Sequence, residues 1–107
     1  MKIKINNTFQ EAYIKVFINP TTTNILIYTN EDDKIYAIIS SVFTTELKRL
    51  NKNSLYIKNK KEYQWIYDFL KHNNLVQYIP KYNKTINNQL YLYFNLNINE
   101  RRFYETI

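Results

Sequence analysis

The sequence has no cysteine and no glycine among its 107 residues, and it contains a single histidine. Without cysteine the chain has no disulfide bonds and no thiolate ligands for zinc. Without glycine it lacks phosphate-binding loops and dinucleotide fingerprints, which depend on the backbone freedom of glycine. The lone histidine, His72, lies at a predicted helix end, where a structural or exposed role is expected. The residue inventory therefore predicts no metal, no cofactor and none of the common catalytic motifs.

Long apolar runs are also missing. No stretch approaches the roughly 20 apolar residues of a transmembrane helix, so no membrane partner is expected. The basic start MKIKINNTFQ is not followed by an apolar segment, so we expect no signal peptide and a cytoplasmic location. Apolar residues make up 45% and charged residues 22% of the chain, which is typical of a folded protein. We expect a single compact domain over residues 1–107.

The strongest local pattern lies in residues 54–79, which read as strand, helix, strand. The apolar stripe of this helix recurs at spacings of three and four, at Tyr63, Ile66, Tyr67 and Leu70. Trp65 and Phe69 are expected to widen this stripe, so that most of Trp65 becomes buried. Asn59 is a suitable N-cap, Glu62 completes a capping box, and Asn73-Asn74 supplies a left-handed residue at the end.

Short strands are predicted along most of the remaining chain, at residues 2–5, 12–18, 25–28, 35–39 and 89–97. Residues 41–51 predict a second helix, because Phe43, Leu47 and Leu50 recur at helical spacing. Residues 80–88 show no period and are expected to form an exposed loop. The order of elements is then ββββ-α-β-α-ββ. This order predicts an α+β fold with a mainly antiparallel sheet of about five to seven strands and two helices.

The positive charge is concentrated in the second half of the chain. Of the net charge of +6, residues 1–50 contribute +1 (six basic, five acidic) and residues 51–107 contribute +5 (nine basic, four acidic). Six basic residues and no acid occur between positions 48 and 61: Lys48, Arg49, Lys52, Lys58, Lys60 and Lys61. They predict either a basic patch that binds nucleic-acid phosphates or a solvated, lysine-rich surface. Because lysine dominates, any contact with nucleic acid is expected to be sequence-tolerant.

Tyr91 and Tyr93 are a second, weaker candidate site. They alternate with the apolar residues of the strand at 89–97, so they are predicted to face away from the core. Strand tyrosines can stack on unpaired bases, as in single-strand binding proteins. The alternatives are that a second layer of protein covers them, or that the tyrosine content reflects codon bias.

The residue usage also bears on the origin of the gene. Lysine, asparagine, isoleucine and tyrosine have A/T-rich codons and are frequent here, which favours a phage or mobile-element source. The favoured interpretation is a small non-enzymatic basic protein that docks on a nucleic acid or a nucleoprotein complex. A natural role would be inhibition of a host defence system, in the manner of anti-CRISPR proteins.

Two alternatives belong to other functional classes. One is a ribonuclease toxin of the RelE type, because Arg101, Arg102, Tyr104 and Glu105 supply residue types that hold phosphate and move protons. The order of elements departs from that family, which has helices soon after its first strand. The other alternative is a homodimer joined through the open edge of the strand at 89–97.

Overall fold

The computed structural model describes residues 2–5, 8–29, 35–97 and 104–106. They form nine strands, one α-helix and two 3₁₀ turns, arranged in two mainly antiparallel sheets. The strands are β1 (Lys2–Ile5), β2 (Thr8–Ile18), β3 (Thr22–Thr29), β4 (Ile35–Val42), β5 (Ser54–Lys58), β6 (Val76–Tyr78), β7 (Lys84–Ile86), β8 (Gln89–Leu96) and β9 (Tyr104–Thr106). The helix α1 spans Gln64–His72, and the 3₁₀ turns span Lys61–Tyr63 and Pro80–Tyr82.

The first sheet has the order β1-β2-β3-β4, and β9 pairs in parallel with the end of β2. The inward face of β2 consists of alternate apolar residues, as the period of a strand requires: Ala12, Ile14, Val16 and Ile18. The predicted hairpin is confirmed, since β3 and β4 pair antiparallel with Ile25 opposite Ile39. The tip of this hairpin, residues 30–34, lies outside the described residues.

The second sheet is centred on β8. Strand β5 pairs with one side of β8, while β6 and β7 pair with successive parts of the other side. Both β5 and β6 run antiparallel to β8, so they are parallel to each other with β8 between them. The predicted strand at 89–97 is therefore confirmed, but the hypothesis of a homodimer through its edge is wrong, because β8 has partners on both sides.

The main core lies between the two sheets and under α1. Its second-sheet contribution includes Leu55, Ile57 and Phe94, and α1 adds Leu70, which is completely buried. The other face of the second sheet carries a smaller cluster, in which Tyr56 and Tyr93 are covered by Phe43 and Leu47. Both faces of the second sheet are therefore covered near its middle.

The segment that covers this second face, residues 43–53, contains no helix, so the helix predicted at 41–51 is wrong. Thr44 Oγ1 accepts hydrogen bonds from the amides of Glu46 and Leu47, which closes only a single turn. Further along, Ser54 Oγ accepts from the amides of Leu50 and Asn51. Side-chain oxygens thus take the place of helical carbonyls, which is how serine and threonine compete with helix formation.

The start of α1 also differs from the prediction. The α-helix begins at Gln64, after the 3₁₀ turn, and neither helical segment has a side-chain cap at its N-terminus. Asn59 does not occupy the cap position, which falls at Lys60 for the 3₁₀ turn and at Tyr63 for α1. Its amide donates to the Leu90 carbonyl at 2.8 Å and so continues the β5–β8 ladder. The predicted end of the helix is confirmed, since Asn74 adopts a left-handed conformation with φ of 56°.

Trp65 is 51% exposed, so the expectation that the core would bury most of it is wrong. At about 100° per residue, Trp65 lies roughly 150° from the middle of the stripe formed by Tyr63, Ile66, Tyr67 and Leu70. Phe69 lies at the flank of that stripe and is still buried. Trp65 lies about 40° further from the stripe than Phe69 does. That difference places Trp65 on the outer side of the helix.

Residues 80–88 are mostly exposed, as expected from the sequence, but they are not an irregular loop. They contain a 3₁₀ turn, the strand β7 and a two-residue connection to β8. Asn87 and Asn88 form this connection with φ of 49° and 66°, the positive values that a tight hairpin turn requires. The fold is thus mostly antiparallel sheet with one helix in the described residues. The predicted second helix and the order ββββ-α-β-α-ββ are wrong, since α1 follows five strands.

Candidate functional site

The lysines of the predicted basic patch come from the segment before strand β5, from the end of this strand and from the residues after it. Lys48 and Lys52 lie in the segment before β5, whereas Lys58 ends this strand and Lys60 and Lys61 follow it. Four steps along β5 separate its ends by about 13 Å. All five lysines are exposed. Lys52 comes just before the start of β5, whereas the backbone of Lys48 lies over the middle of the strand, where its carbonyl accepts a hydrogen bond from the Tyr56 hydroxyl at 2.9 Å.

Arg49, the sixth predicted residue, is held by the fold itself. The Nη2 atom donates to the carbonyls of Asn19 and Thr22 at 2.7 Å each, and the Nη1 atom donates to Thr23 Oγ1 at 3.1 Å. The guanidinium also lies 4.1 Å from the centre of the Phe43 ring. These contacts tie the covering segment to the turn between β2 and β3, so Arg49 has a structural role.

Tyr93 is completely buried, which contradicts its predicted role in base stacking. Its hydroxyl lies 2.7 Å from Ser54 Oγ and donates to Asn95 Oδ1 at 2.8 Å. Its ring packs edge-on against Tyr56 at a centroid distance of 5.1 Å. Burial, together with the neighbouring Tyr93, raises the pKa of Tyr56 above its usual value. Of the interpretations of these tyrosines, coverage by a second layer is the one that applies to Tyr93.

Tyr91 lies at the margin of the covered face and is half-buried. Strand pairing places Lys58 of β5 opposite it on one side and Lys84 of β7 opposite it on the other. We call Lys58, Tyr91 and Lys84 the lysine row. Lys58 shares a face with Tyr56, and Lys84 shares a face with Ile86, so all three residues project from the same side of the sheet. Two strand spacings put the lysine backbones about 10 Å apart.

Lys60 and Lys61 continue the positive charge beyond the lysine row. The amide of Lys60 donates to the Lys58 carbonyl at 2.9 Å, which turns the chain sharply after β5. Glu62 lies 4.0 Å from the Lys60 ammonium, and both side chains are largely exposed. An exposed pair of this kind contributes little energy and leaves the lysine able to contact other anions.

Sequence reasoning found Lys58, Lys60 and Lys61 but missed Lys84. Lys84 was missed because it joins the others only through the pairing of β7 with β8. That pairing depends on the turn at Asn87-Asn88 and leaves no hydrophobic period in the sequence. Lysines on both sides of a tyrosine have the chemistry to bind anions, since each ammonium offers three donors without fixed geometry. The row carries no carboxylate.

The alternative catalytic cluster falls largely outside the described residues. Arg101 and Arg102 are not among them, while Tyr104 begins β9 and pairs with Val16. His72 is exposed at the end of α1. Within the part of the chain that the structure describes, no group of histidine, aspartate and glutamate side chains has the arrangement of a metal site. The same residues include no helix long and apolar enough to cross a membrane.

Searches of protein-family models, curated proteins and solved structures find no match to this chain. The interpretation of the site therefore depends on its own geometry and charge.

Proposed function

We propose that this protein is a non-enzymatic nucleic-acid-binding protein that contacts the phosphate backbone through the lysine row together with Lys60 and Lys61. The observation that supports this proposal is the cross-strand pairing of Lys58 and Lys84 with Tyr91 between them. A sheet holds these backbones at fixed separations, so the two ammonium groups can reach successive phosphates of one strand. Lys60 and Lys61 extend the contact along the chain that follows β5.

The proposed binding is sequence-tolerant. Lysine is a point charge that neutralises phosphate without the forked geometry used to read base edges. Tyr91 is half-buried, so it offers a ring edge or part of a face rather than a full stacking platform. Most of the affinity should then come from counterion release, which makes binding steeply dependent on salt.

The experiment compares two variants with the same net charge. In the first, Lys58, Lys60 and Lys84 are replaced by glutamine; in the control, Lys15, Lys48 and Lys71 are replaced. Each variant loses three positive charges, so the net charge falls from +6 to +3 in both. Binding of a fluorescent single-stranded oligonucleotide is followed by anisotropy at several salt concentrations.

Four lysine contacts should give the unaltered protein a slope of about −2.8 in a plot of log affinity against log salt. The first variant should retain a slope of about −0.7 and lose at least about tenfold in affinity at 0.1 M salt. The control should keep most of the slope. Equal losses in the two variants would show that net charge alone drives binding, and the proposal would be wrong.

A protein that covers phosphate without reading sequence can block a nucleoprotein machine by competing for its nucleic acid. Inhibition of a host defence complex would be one case of this activity. That role, the phage origin and the cytoplasmic location stay predictions from the sequence.

A further inference from the structure

A cleft of about 490 Å³ opens where the edges of the two sheets face each other. One wall is β4, the last strand of the first sheet, and the opposite wall is β5, the first strand of the second sheet. The two walls meet where the Tyr56 amide donates to Ser41 Oγ at 3.0 Å. Beyond that contact, Tyr63 and Ile66 form a side wall, with Ile66 contributed by α1.

The cleft is lined by the edges of these strands rather than by their faces. Five consecutive residues of β4, 38–42, line it, and so do three consecutive residues of β5, 56–58. Side chains of a strand alternate between its two faces, so an unbroken run of lining residues means that the strand is presented edge-on. The backbone of each strand is therefore part of the cleft wall.

Backbone groups of β4 are directed into this space. The Phe43 amide donates to the Thr21 carbonyl at 2.7 Å, which fixes the alternation of the β3–β4 ladder. By that alternation the amides and carbonyls of residues 38, 40 and 42 point away from β3. Within the described residues, β4 has no other strand partner. On the opposite wall, the amide of Asn59 bonds to Leu90, so the Lys58 amide also points outward.

The side chains of the cleft are mainly apolar. Ile38 and Val42 are 59% and 58% exposed, unusually high values for β-branched apolar residues on one short strand. Strand β4, with the sequence IYAIISSV, carries no charged residue of the kind that normally protects an exposed edge. Lys58 bears the only charge among the described residues that line the cleft.

We infer that this cleft binds an extended, apolar segment of a partner protein, which adds to β4 as a further strand and places a carboxylate against Lys58. Main-chain hydrogen bonds to residues 38, 40 and 42 hold the segment, and the apolar walls accept its alternate side chains. Residues 38–42 span about 13 Å, which suits a peptide of about five residues. This site goes beyond the proposed nucleic-acid contact and shares only Lys58 and Tyr91 with it.

Two other occupants fit the cleft less well. A phosphate backbone would bring several charges to a space that offers one cation and mainly apolar walls. The β4 edge of a second folded copy would bring its whole sheet to a cleft of about 490 Å³ that β5, Tyr63 and Ile66 bound on the other sides. A peptide segment suits both the outward-pointing backbone groups of β4 and the apolar walls.

The test uses an N-acetylated pentapeptide of alternating threonine and valine with a free carboxylate, and the same peptide as a C-terminal amide. Both are titrated into the full chain, and amide chemical shifts are followed by NMR. The free acid should shift the amides of Ile38, Ser40, Val42 and Lys58, with about tenfold higher affinity than the amide form. Lys58→Gln should remove the difference between the two peptides.

Two variants test the backbone and the apolar wall separately. Ser40→Pro removes an outward-facing amide that β3 does not use, a position where an edge strand tolerates proline. Ile38→Glu places on the same edge a charge that repels the peptide carboxylate, and it does not depend on the proline variant folding. Either substitution should abolish peptide binding, with the fold verified by the shifts of α1.

Three results would overturn the inference that the cleft binds a peptide. Absence of shifts along β4 at millimolar free-acid peptide would overturn it. Concentration-dependent shifts of β4 without peptide, together with a dimer in sedimentation, would assign the edge to a second copy. An oligonucleotide that shifts residues 38–42 would assign the cleft to nucleic acid. Lys60→Gln with Lys84→Gln separates the two proposals, because that pair should weaken oligonucleotide binding and leave peptide binding intact.

Discussion

Lys48 and Arg49 are neighbours with the same charge, yet the fold uses them differently. The Lys48 side chain is exposed, and its backbone carbonyl accepts a hydrogen bond from the hydroxyl of Tyr56 at 2.9 Å. The guanidinium of Arg49 instead binds two carbonyls and a hydroxyl of residues 19–23. Counting charges along the sequence cannot separate these roles, because the partners of Arg49 lie more than 25 residues away.

We expect Arg49→Lys to lower the free energy of unfolding by about 2–3 kcal/mol. Lysine keeps the charge but cannot serve three acceptors in a planar fork or stack on Phe43 as a guanidinium does. Urea unfolding followed by circular dichroism measures the change. Lys48→Ala is the matched control and should stay within about 0.5 kcal/mol. Equal stability of Arg49→Lys and the unaltered protein would refute the structural role of Arg49.

Most strands could be predicted from the sequence because their apolar residues alternate with polar ones. Alternation of Leu90, Leu92, Phe94 and Leu96 indicated β8, and a similar alternation indicated β2. Strand β7 has only three residues and no apolar period, so it could be recognised only through its turn at Asn87-Asn88. The apolar residues of segment 43–53 are spaced as in a helix, although the segment is irregular. Phe43 and Leu47 share one side because both pack on the second sheet.

The candidate site could be predicted only in part for the same reasons. Lys58, Lys60 and Lys61 stand close together in the sequence and remain close in the structure. Lys84 joins them through strand pairing, which single-sequence patterns do not contain. Tyr93 alternates with Tyr91 and so looked equally exposed, but the covering segment buries only Tyr93 completely.

Substitutions on the two sides of α1 test which side of the helix packs against the core. Leu70→Ala should lower the free energy of unfolding by about 2–5 kcal/mol, because Leu70 is completely buried in the main core. Trp65→Ala should cost less than about 1 kcal/mol, because the indole lies on the outer side of the helix. Denaturant unfolding measures the free energy of unfolding of both variants. A larger loss for Trp65→Ala than for Leu70→Ala would show that the helix is rotated relative to this structure.

At the scale of the whole molecule, two sheets share a core, and the two proposed binding surfaces lie next to each other. The end of the second sheet gathers lysines on both sides of Tyr91, and the gap between the sheets presents strand edges and apolar side chains. Lys58 lies at the junction, since it belongs to the lysine row and also lines the cleft. If both proposals hold, this chain would contact a phosphate backbone and a protein segment at adjoining sites, as docking on a nucleoprotein complex requires.

The decisive measurement is an NMR titration of the full chain with an oligodeoxythymidine of about ten nucleotides. Binding at the lysine row should shift the amides of Lys58, Lys60, Lys61, Lys84 and Tyr91, and the shifts should shrink as salt is raised. Amides of β3 and of residues 48–52 should change little. Shifts centred on residues 48–52 or on the first sheet, with none at the lysine row, would contradict the proposed site.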